Sequence, residues 1–173
     1  KVRRSYSMSS SPHTDTAPAV TIKRVPGGLV SNWLVDKIKV GDSIEVLEPT
    51  GHFMVQPDAR NARTVVLIGA GSGITPLISM AKSILKIEAE SRVVLLYGNR
   101  DENNIIFKSK LDELGEQYGE RLVVNYTLSQ PLNGWTGYTG RLNQSHILRL
   151  LEKIKGFVPT QAEYFLCGPD GLM

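Results

Sequence analysis

The second part of the chain, from Thr64 onward, alternates between short apolar runs and longer amphipathic segments. The apolar runs predict strands at Thr64–Ile68, Arg92–Tyr97, Leu122–Leu128 and Tyr164–Cys167. The segments between them predict helices near Thr75–Ala89, Ile105–Tyr118 and Ser145–Lys155. Continuous apolar strands joined by helices are typical of a parallel sheet covered on both faces. We therefore predict an α/β domain over residues 61–173.

The first part has a different pattern, in which short alternating stretches are separated by turns rich in Gly and Pro. These stretches predict strands at Ala19–Val25, Ser43–Glu48 and Phe53–Gln56 and one helix near Leu29–Ile38. We predict a β-rich domain over residues 1–60, with Pro57–Arg63 as the polar linker to the next domain. Because strand-like alternation begins at the first residue, we expect the chain to be an internal piece of a longer polypeptide.

Composition and charge narrow the classes of function. The 173 residues are 41% hydrophobic and 21% charged, which is typical of a globular protein. No apolar run reaches the roughly 18 residues of a membrane helix, and no secretory signal opens the chain, so we expect a cytoplasmic protein without a membrane partner. The single cysteine, Cys167, predicts neither an internal disulfide nor a metal site. A net charge of +3 is too small to indicate nucleic acid but favours anionic ligands such as nucleotides.

The strongest local signal is the run Gly69-Ala70-Gly71-Ser72-Gly73-Ile74-Thr75-Pro76, between a predicted strand and a predicted helix. Its glycines allow a tight turn and the close approach of a ligand, and the free N–H groups of the helix attract phosphate. The spacing matches neither the Rossmann fingerprint nor a P-loop. An empty strand-to-helix turn would also use glycines, so the run predicts nucleotide binding without naming the nucleotide.

Three weaker signals each have a plain structural alternative. The segment Pro26–Leu34 joins two glycines to the start of a helix, as in an anion cradle or a hairpin loop that leads into a capping turn. Alternation places Arg4 and Tyr6 on one face, where they suit a phosphate and an aromatic ring or belong to an ordinary edge strand. Cys167-Gly168-Pro169 follows the last strand, at the edge where open α/β sheets bind ligands, although a cysteine there is often a core residue.

The order of these motifs is more specific than any one of them. Arg-x-Tyr-Ser at Arg4–Ser7 is followed by Gly-Gly-Leu-Val-Ser at Gly27–Ser31, the glycine run at Gly69–Pro76, and Cys-Gly-Pro at Cys167–Pro169. This string resembles the ferredoxin–NADP reductase superfamily over essentially the whole chain. Details such as Tyr97-Gly98-Asn99-Arg100 look most like the branch that contains the reductase component of phenylacetyl-CoA oxygenase and other ring-hydroxylase reductases.

The resemblance implies a two-domain fold and two cofactors. An antiparallel β-barrel flavin domain, incomplete here, is followed by an α/β parallel-sheet NAD(P)-binding domain whose last helix is truncated. The implied FAD-binding residues are Arg4, Tyr6, Ser7, Gly28, Leu29, Val30 and Ser31. The implied residues for NADPH or NADH are Gly71, Ser72, Gly73, Thr75, Arg100, Cys167, Gly168 and Pro169. The implied catalytic residues are Ser7 near flavin N5, and Thr75 and Cys167 near the nicotinamide.

The resemblance also implies an activity. Hydride passes from NAD(P)H to FAD, and single electrons then pass to a 2Fe-2S centre that serves an oxygenase, in phenylacetyl-CoA or aromatic degradation. The chain lacks the cysteine ligands of such a centre, so we expect it in a C-terminal ferredoxin domain or in a partner. The alternatives are a flavohaemoglobin-type or free-flavin reductase and a non-catalytic flavin- or nucleotide-binding electron-transfer subunit. Arg100, just past the second strand of the α/β domain, favours NADPH and leaves NADH open.

Overall fold

A five-stranded sheet organises the second region of the computed structural model, which describes residues 2–172. The strands in chain order are β1 (Thr64–Ala70), β2 (Arg92–Asn99), β3 (Leu122–Leu128), β4 (Tyr138–Thr139) and β5 (Ala162–Cys167). Their spatial order is β4-β3-β2-β1-β5, and every pairing is parallel. The direction of winding reverses between β1 and β5, so the carboxyl ends of these strands form the topological switch point where such sheets bind ligands. The predicted parallel sheet is confirmed.

Four helices accompany the strands within the described residues. They are α1 (Leu29–Lys37), α2 (Ile74–Ile87), α3 (Lys108–Tyr118) and α4 (Gln144–Glu152). The third helix begins three residues later than predicted, because Phe107 takes a left-handed conformation with φ of 63° and interrupts the helical path. The fourth is capped by Asn143, whose side-chain oxygen accepts from the His146 N–H at 2.9 Å. None of the helices in residues 2–172 is long and apolar enough to cross a membrane.

Two apolar clusters, one on each face of the sheet, form the core. Alternate residues of β1 point to opposite faces: Val65 and Leu67 join the cluster that contains α2, while Val66 and Ile68 join the one that contains α4. Each of these four side chains is at most 2% exposed. Helices on both faces explain why the central strands β1 and β2 are buried and apolar through most of their length.

The strands predicted in the first region are not formed as such. Within residues 2–63, regular structure is limited to α1 and one antiparallel bridge between Met8 and Val20. Apolar side chains of the predicted strand Ser43–Glu48 are open to solvent, with Val46 84% and Leu47 71% exposed. An isolated strand leaves its backbone N–H and C=O groups without partners and gains little in water. The strand predictions at Ser43–Glu48 and Phe53–Gln56 are therefore wrong for the described residues, and that at Ala19–Val25 survives as the single bridge.

Buried polar contacts hold the first region against α2. The Ser11 and Ser83 hydroxyls share a hydrogen bond of 2.8 Å, and the Ser79 hydroxyl donates to the Ser10 carbonyl at 2.7 Å. Lys82 pairs with Asp15 at 2.8 Å. Burial alone would raise the pKa of the Asp15 carboxyl, but the hydrogen bonds from Lys82 and the Ser11 N–H outweigh burial and lower it to about 2. The segment that follows the predicted flavin-binding strand is thus fixed to α2.

The linker between the regions is held by Glu88, which is fully buried at the end of α2. Its carboxylate accepts from Arg63 at 2.6 Å, from the Asn61 side chain at 3.0 Å and from the Asp58 N–H at 3.3 Å. Burial would raise the pKa of Glu88, but these hydrogen bonds, led by that from Arg63, lower it to about 2. Arg63 also pairs with Glu163 of β5 at 2.7 Å. The residues predicted as a polar linker therefore form part of an ion-pair network at the base of the sheet.

Candidate functional site

The glycine run connects β1 to α2 by a short 3-10 turn, Gly71–Gly73. Gly71 has a φ of 54°, in the left-handed region that side chains rarely adopt. Gly73 packs against the end of β5, where an added Cβ atom would lie 2.0 Å from the Cys167 carbonyl oxygen. Glycine is therefore required at both places, for conformation at one and for space at the other. The result is a concave backbone surface at the switch point of the sheet.

The start of α2 offers backbone donors at this surface. Gly73 is the N-cap, and no side chain accepts a capping hydrogen bond there. The Thr75 hydroxyl donates to the Ser72 carbonyl at 3.0 Å and keeps the turn closed. The first-turn N–H groups of this 14-residue helix lie at the positive end of its dipole. Such an arrangement binds phosphate groups, so the turn fits the pyrophosphate of a dinucleotide.

Two residues that the sequence analysis missed also lie at the glycine turn. The buried Tyr97 hydroxyl donates to the Gly71 carbonyl at 2.9 Å, and burial raises the pKa of Tyr97 to about 12, so the phenol stays protonated. The Lys23 ammonium, from the first region, lies 3.6 Å from the place that a Cβ on Gly71 would occupy. Lys23 therefore brings a positive charge from one region to the anion cradle of the other. Nothing local in the sequence links it to that distant turn.

Cys167 ends β5 directly beside β1, where it pairs in register with Gly69. Its side chain is half-buried against the core cluster that contains α2. Burial raises the pKa of the Cys167 thiol, so the group is neutral at physiological pH and is not a thiolate nucleophile. The following residue also approaches β1 closely, because an added Cβ on Gly168 would lie 3.4 Å from the Ala70 nitrogen. The structure thus brings the Cys-Gly-Pro motif and the glycine run together.

The second predicted cradle lies at the start of α1. Gly28 is the N-cap of this nine-residue helix, again without a side-chain cap, so the first-turn N–H groups are available to a ligand. The buried Ser31 hydroxyl accepts from the Val25 N–H at 3.2 Å, and an added Cβ on Gly28 would lie 2.5 Å from it. Leu29 is 68% exposed. The segment Gly28–Ser31 therefore forms a tight, uncapped helix start with the same donor chemistry as the glycine turn.

The predicted flavin strand carries its polar side chains outward. Arg4 is exposed, and its guanidinium donates to the neighbouring Arg3 carbonyl at 2.8 Å. No carboxylate among the described residues pairs with Arg4. Tyr6 is half-buried and Ser7 is exposed. The structure does not join these three residues to the glycine turn by hydrogen bonds within residues 2–172, and the charge of Arg4 is available for an anionic ligand.

Arg100 lies at the same carboxyl edge of the sheet, just past β2, the strand that neighbours β1. It is exposed, and its Nε donates to the Gln130 side-chain oxygen at 2.8 Å. The Gln130 N–H in turn donates to the Arg100 carbonyl at 2.7 Å, so the loops after β2 and β3 hold each other. The Asp101 carboxylate is 4.0 Å away. Gln130 thus orients a guanidinium that keeps further N–H donors for a ligand, a role that the sequence analysis missed.

Across residues 2–172, no group of three or more His, Cys, Asp or Glu side chains is arranged to hold a metal ion. The site offers two helix starts without side-chain caps, a neutral thiol, and the cations Arg4 and Lys23, neither of which pairs with a carboxylate among the described residues. Such groups suit phosphate-bearing cofactors.

Comparison with known families agrees with this geometry. Residues 67–173 match the family described as "Oxidoreductase NAD-binding domain", and residues 1–55 match "Oxidoreductase FAD-binding domain". The chain belongs to this oxidoreductase family. The match confirms the predicted order of a flavin domain and a nucleotide domain, the ferredoxin reductase-like fold, and FAD and NAD(P)H as the cofactors of the oxidoreductase.

Several relatives are named as components of oxygenase systems. The chain is 40% identical over 172 residues to the "3-ketosteroid-9-alpha-monooxygenase, ferredoxin reductase component" of Rhodococcus rhodochrous, covering 99% of this chain and 44% of that protein. It is 32% identical over 173 residues to one component of the 1,2-phenylacetyl-CoA epoxidase of Escherichia coli, covering 100% of this chain and 48% of that protein. The chain therefore spans about half the length of these curated relatives. The predicted resemblance to oxygenase reductases is confirmed.

Solved structures show the same fold. The "Ferredoxin reductase in carbazole 1,9a-dioxygenase" superposes with a TM-score of 0.74 at 27% identity, over 99% of this chain and 49% of that one. The cytochrome b5 reductase domain of Ulva prolifera nitrate reductase superposes with a TM-score of 0.80 at 24% identity, over 99% of this chain and 70% of that one. At 24% identity, the likeness to the nitrate reductase domain shows the fold alone.

Proposed function

We propose that the chain is the flavin- and nucleotide-binding part of a reductase component that takes electrons from NAD(P)H and delivers them to a 2Fe-2S centre serving an oxygenase. The observation that supports this proposal is the close approach of Gly73 to the Cys167 carbonyl, which brings the glycine turn against the end of β5. The names of the relatives support the oxygenase context. The iron–sulfur centre belongs to a ferredoxin domain or a partner, because the chain has one cysteine.

In this proposal the nucleotide lies across the switch point of the sheet. The backbone of Gly71, Ser72 and Gly73 holds the pyrophosphate, with the dipole of α2 behind it. Lys23 adds a charge from the first region, so nucleotide binding draws on both regions. Thr75 holds the turn closed through Ser72 and faces the nicotinamide end.

The flavin is held by the first region. Arg4 supplies a guanidinium to the FAD pyrophosphate, and Gly28, Leu29, Val30 and Ser31 supply the N–H groups at the start of α1. Tyr6 offers its ring to the isoalloxazine. Ser7 donates its hydroxyl proton toward flavin N5.

The reaction needs position more than acid–base chemistry. When both cofactors are bound, the nicotinamide supplies a hydride and FAD accepts it and releases the electrons singly. Cys167, as a neutral thiol, lines the approach of the nicotinamide ring without ionising, and Gly168 and Pro169 leave room beside it. No general base is required in this scheme, and none of the residues brought together at the switch point is a carboxylate.

The oxygenase substrate is a finer proposal. We propose a role in phenylacetyl-CoA or aromatic degradation, supported by the 32% identity to the phenylacetyl-CoA epoxidase component. Relatives in ketosteroid oxidation and glycine betaine oxidation are 40% and 36% identical, so the likeness alone does not select a substrate. Electron delivery to each purified oxygenase, measured as product formation with NADPH and with NADH, distinguishes them. Faster turnover of a steroid or betaine oxygenase would refute the aromatic role.

The flavin reductase proposal is tested by Gly73→Ala in the full-length protein, with Gly115→Ala as the matched control. Gly115 lies within α3, and an added Cβ there meets nothing within 4 Å. We expect Gly73→Ala to lower the affinity for NAD(P)H by at least about tenfold while bound FAD, measured by absorbance, is retained. Anaerobic flavin reduction should slow in parallel. If Gly73→Ala reduces its flavin as fast as Gly115→Ala does, the turn is not the nucleotide cradle.

Two outcomes separate the alternative functions. A full-length protein that binds FAD and NAD(P)H but shows no flavin reduction would indicate a non-catalytic electron-transfer subunit. A protein that passes electrons to free flavin faster than to any 2Fe-2S protein would indicate a free-flavin reductase. Rapid single-electron reduction of a ferredoxin is the expected result.

A further inference from the structure

A cavity of about 340 Å³ lies where the first region meets the outer surface of α2 and α3. The loop around Asp15 forms one wall, the second half of α2 another, and the side of α3 that carries Lys110 the third. Lys82 stands eight residues after Ile74, the first residue of α2, which is about 12 Å along the helix at ~1.5 Å per residue. The cavity is therefore separate from the glycine turn and from the cofactors proposed there.

The cavity is lined by more positive than negative charge. Lys82, Lys86 and Lys110 line it together with a single carboxylate, that of Asp15. Asp15 is already paired with Lys82 at 2.8 Å. Lys110 pairs with Glu113 at 2.8 Å on the exposed surface of α3, and Lys86 has no carboxylate partner among the described residues. The lining therefore keeps a net positive charge that the protein itself does not neutralise.

Lys82 is the buried charged residue of this cavity. Its side chain is only 9% exposed, although it ends in an ammonium group with three N–H donors. Within residues 2–172, Asp15 is the one acceptor that it contacts, through a single oxygen. A buried ammonium with unfilled donors is unfavourable, and an anionic ligand in the cavity would fill them. Gln117 and Tyr118 add neutral polar groups to the same wall.

We propose that this cavity binds a small polyanion, a phosphate ester or organic acid with at least two anionic groups, through Lys82, Lys86 and Lys110. The volume exceeds that of a single ion, and the three ammonium groups come from two helices. The lysines belong to the second region, while Thr14 and Asp15 of the first region line the facing wall, so a bound polyanion would lie between the two regions. The proposal does not depend on the activity argued above.

The test uses inorganic pyrophosphate and citrate as probes, titrated into the protein by calorimetry at constant ionic strength. Saturating NAD⁺ is present throughout, so that the glycine turn is occupied, and the heat of NAD⁺ binding reports separately on that site. Lys86→Ala and Lys110→Ala are the variants, because both side chains are exposed and their loss leaves the core intact. Lys37→Ala is the matched control, since Lys37 lies in the last turn of α1 as Lys86 lies in the last turn of α2.

We expect one polyanion to bind per chain, and each cavity variant to weaken its binding by at least about tenfold, with the control unchanged. Tighter binding of pyrophosphate would identify a phosphate ester as the ligand class, and tighter binding of citrate a carboxylic acid. The proposal is overturned if neither probe binds, if Lys37→Ala weakens binding as much as Lys86→Ala, or if the probe displaces NAD⁺.

Discussion

Apolar side chains of the predicted strands are mostly buried in the second region of the chain and mostly exposed in the first. In the second region, Leu67 of β1 is fully buried and its strand pairs on both sides, with β2 and β5. In the first region, Leu47 lies in the alternating stretch Ser43–Glu48 and is 71% exposed, with no ladder partner among the described residues. A parallel sheet with its own crossover helices completes its burial locally. A strand with one apolar face is buried only by pairing and packing against neighbouring strands, and Ser43–Glu48 pairs with none among the described residues.

The largest expected effect on the free energy of unfolding comes from truncating one leucine in each region. Leu67→Ala should lower the free energy of unfolding by about 3 kcal/mol, because it leaves a cavity in the core beneath α2. Leu47→Ala, which removes the same atoms, should change it by less than about 0.5 kcal/mol. Urea denaturation followed by circular dichroism measures both. Equal effects would mean that the run around Leu47 is packed in solution.

The next effect concerns Glu88, which holds the linker to the end of α2. Glu88→Gln should cost roughly 3 kcal/mol near neutral pH, because it leaves the Arg63 guanidinium without its buried partner. The pKa of Glu88 is lowered in the folded state to about 2 from 4.5, so its contribution is fully present above pH 4.5 and is lost as the pH falls toward 2. The gap between wild type and variant should therefore close in acid. Asp15, whose pKa is also about 2, titrates over the same range in both proteins and cancels from the difference.

That prediction is checked by urea unfolding of both proteins at a series of pH values between about 7 and 2.5. A gap that stays constant across the series would show that Glu88 acts through packing and not through its charge.

Two arginine variants test whether the first region binds FAD and the second region binds the nucleotide. Arg4→Ala should weaken FAD binding with little effect on the nucleotide, and Arg100→Ala should raise the KM for NADPH with little effect on NADH or FAD. Each loses one charge-assisted contact, about 2 kcal/mol. Flavin content and steady-state kinetics of the full-length protein provide the readouts. If Arg100→Ala affects both nucleotides equally, Arg100 does not contact a 2′-phosphate.

The smallest effect tests the contact between the regions. Ser83→Ala removes the hydroxyl that is bonded to Ser11 and should cost about 1 kcal/mol. Hydrogen exchange of residues 9–15 should speed up, while exchange in β1 and β2 stays unchanged. Ser109→Ala, on the exposed side of α3, is the control. Unchanged exchange in the loop would indicate that the other contacts to α2 suffice.

The sequence also predicts the fold of the second region better than that of the first. Because β3 pairs with β2 and β4 within its own sheet, it forms as its sequence predicts, and the predicted and observed bounds coincide at Leu122–Leu128. The two-residue strand β4, Tyr138–Thr139, is too short to leave a period in the sequence. The strands predicted before Thr64 relied on alternation alone, and alternation does not say whether a pairing partner is present.

The candidate site shows the same limit. The glycine run and the Cys-Gly-Pro motif were visible because each combines an unusual local composition with a strand end. Lys23 and Gln130 were not, because each reaches its partner from a distant part of the chain. Likewise, nothing in the sequence distinguishes Lys82 from an exposed lysine, because its burial depends on the distant loop at Asp15.

The contact at Gly73 constrains how the sequence can vary. An added Cβ there would meet a backbone carbonyl, that of Cys167, and every residue at 167 carries the same carbonyl. No compensating substitution at that partner can relieve the collision. At Gly69, by contrast, an added Cβ would meet the flexible end of the Leu77 side chain at 2.7 Å. In a library that randomises both pairs, position 69 should accept alanine when 77 becomes smaller, while position 73 stays glycine whatever stands at 167.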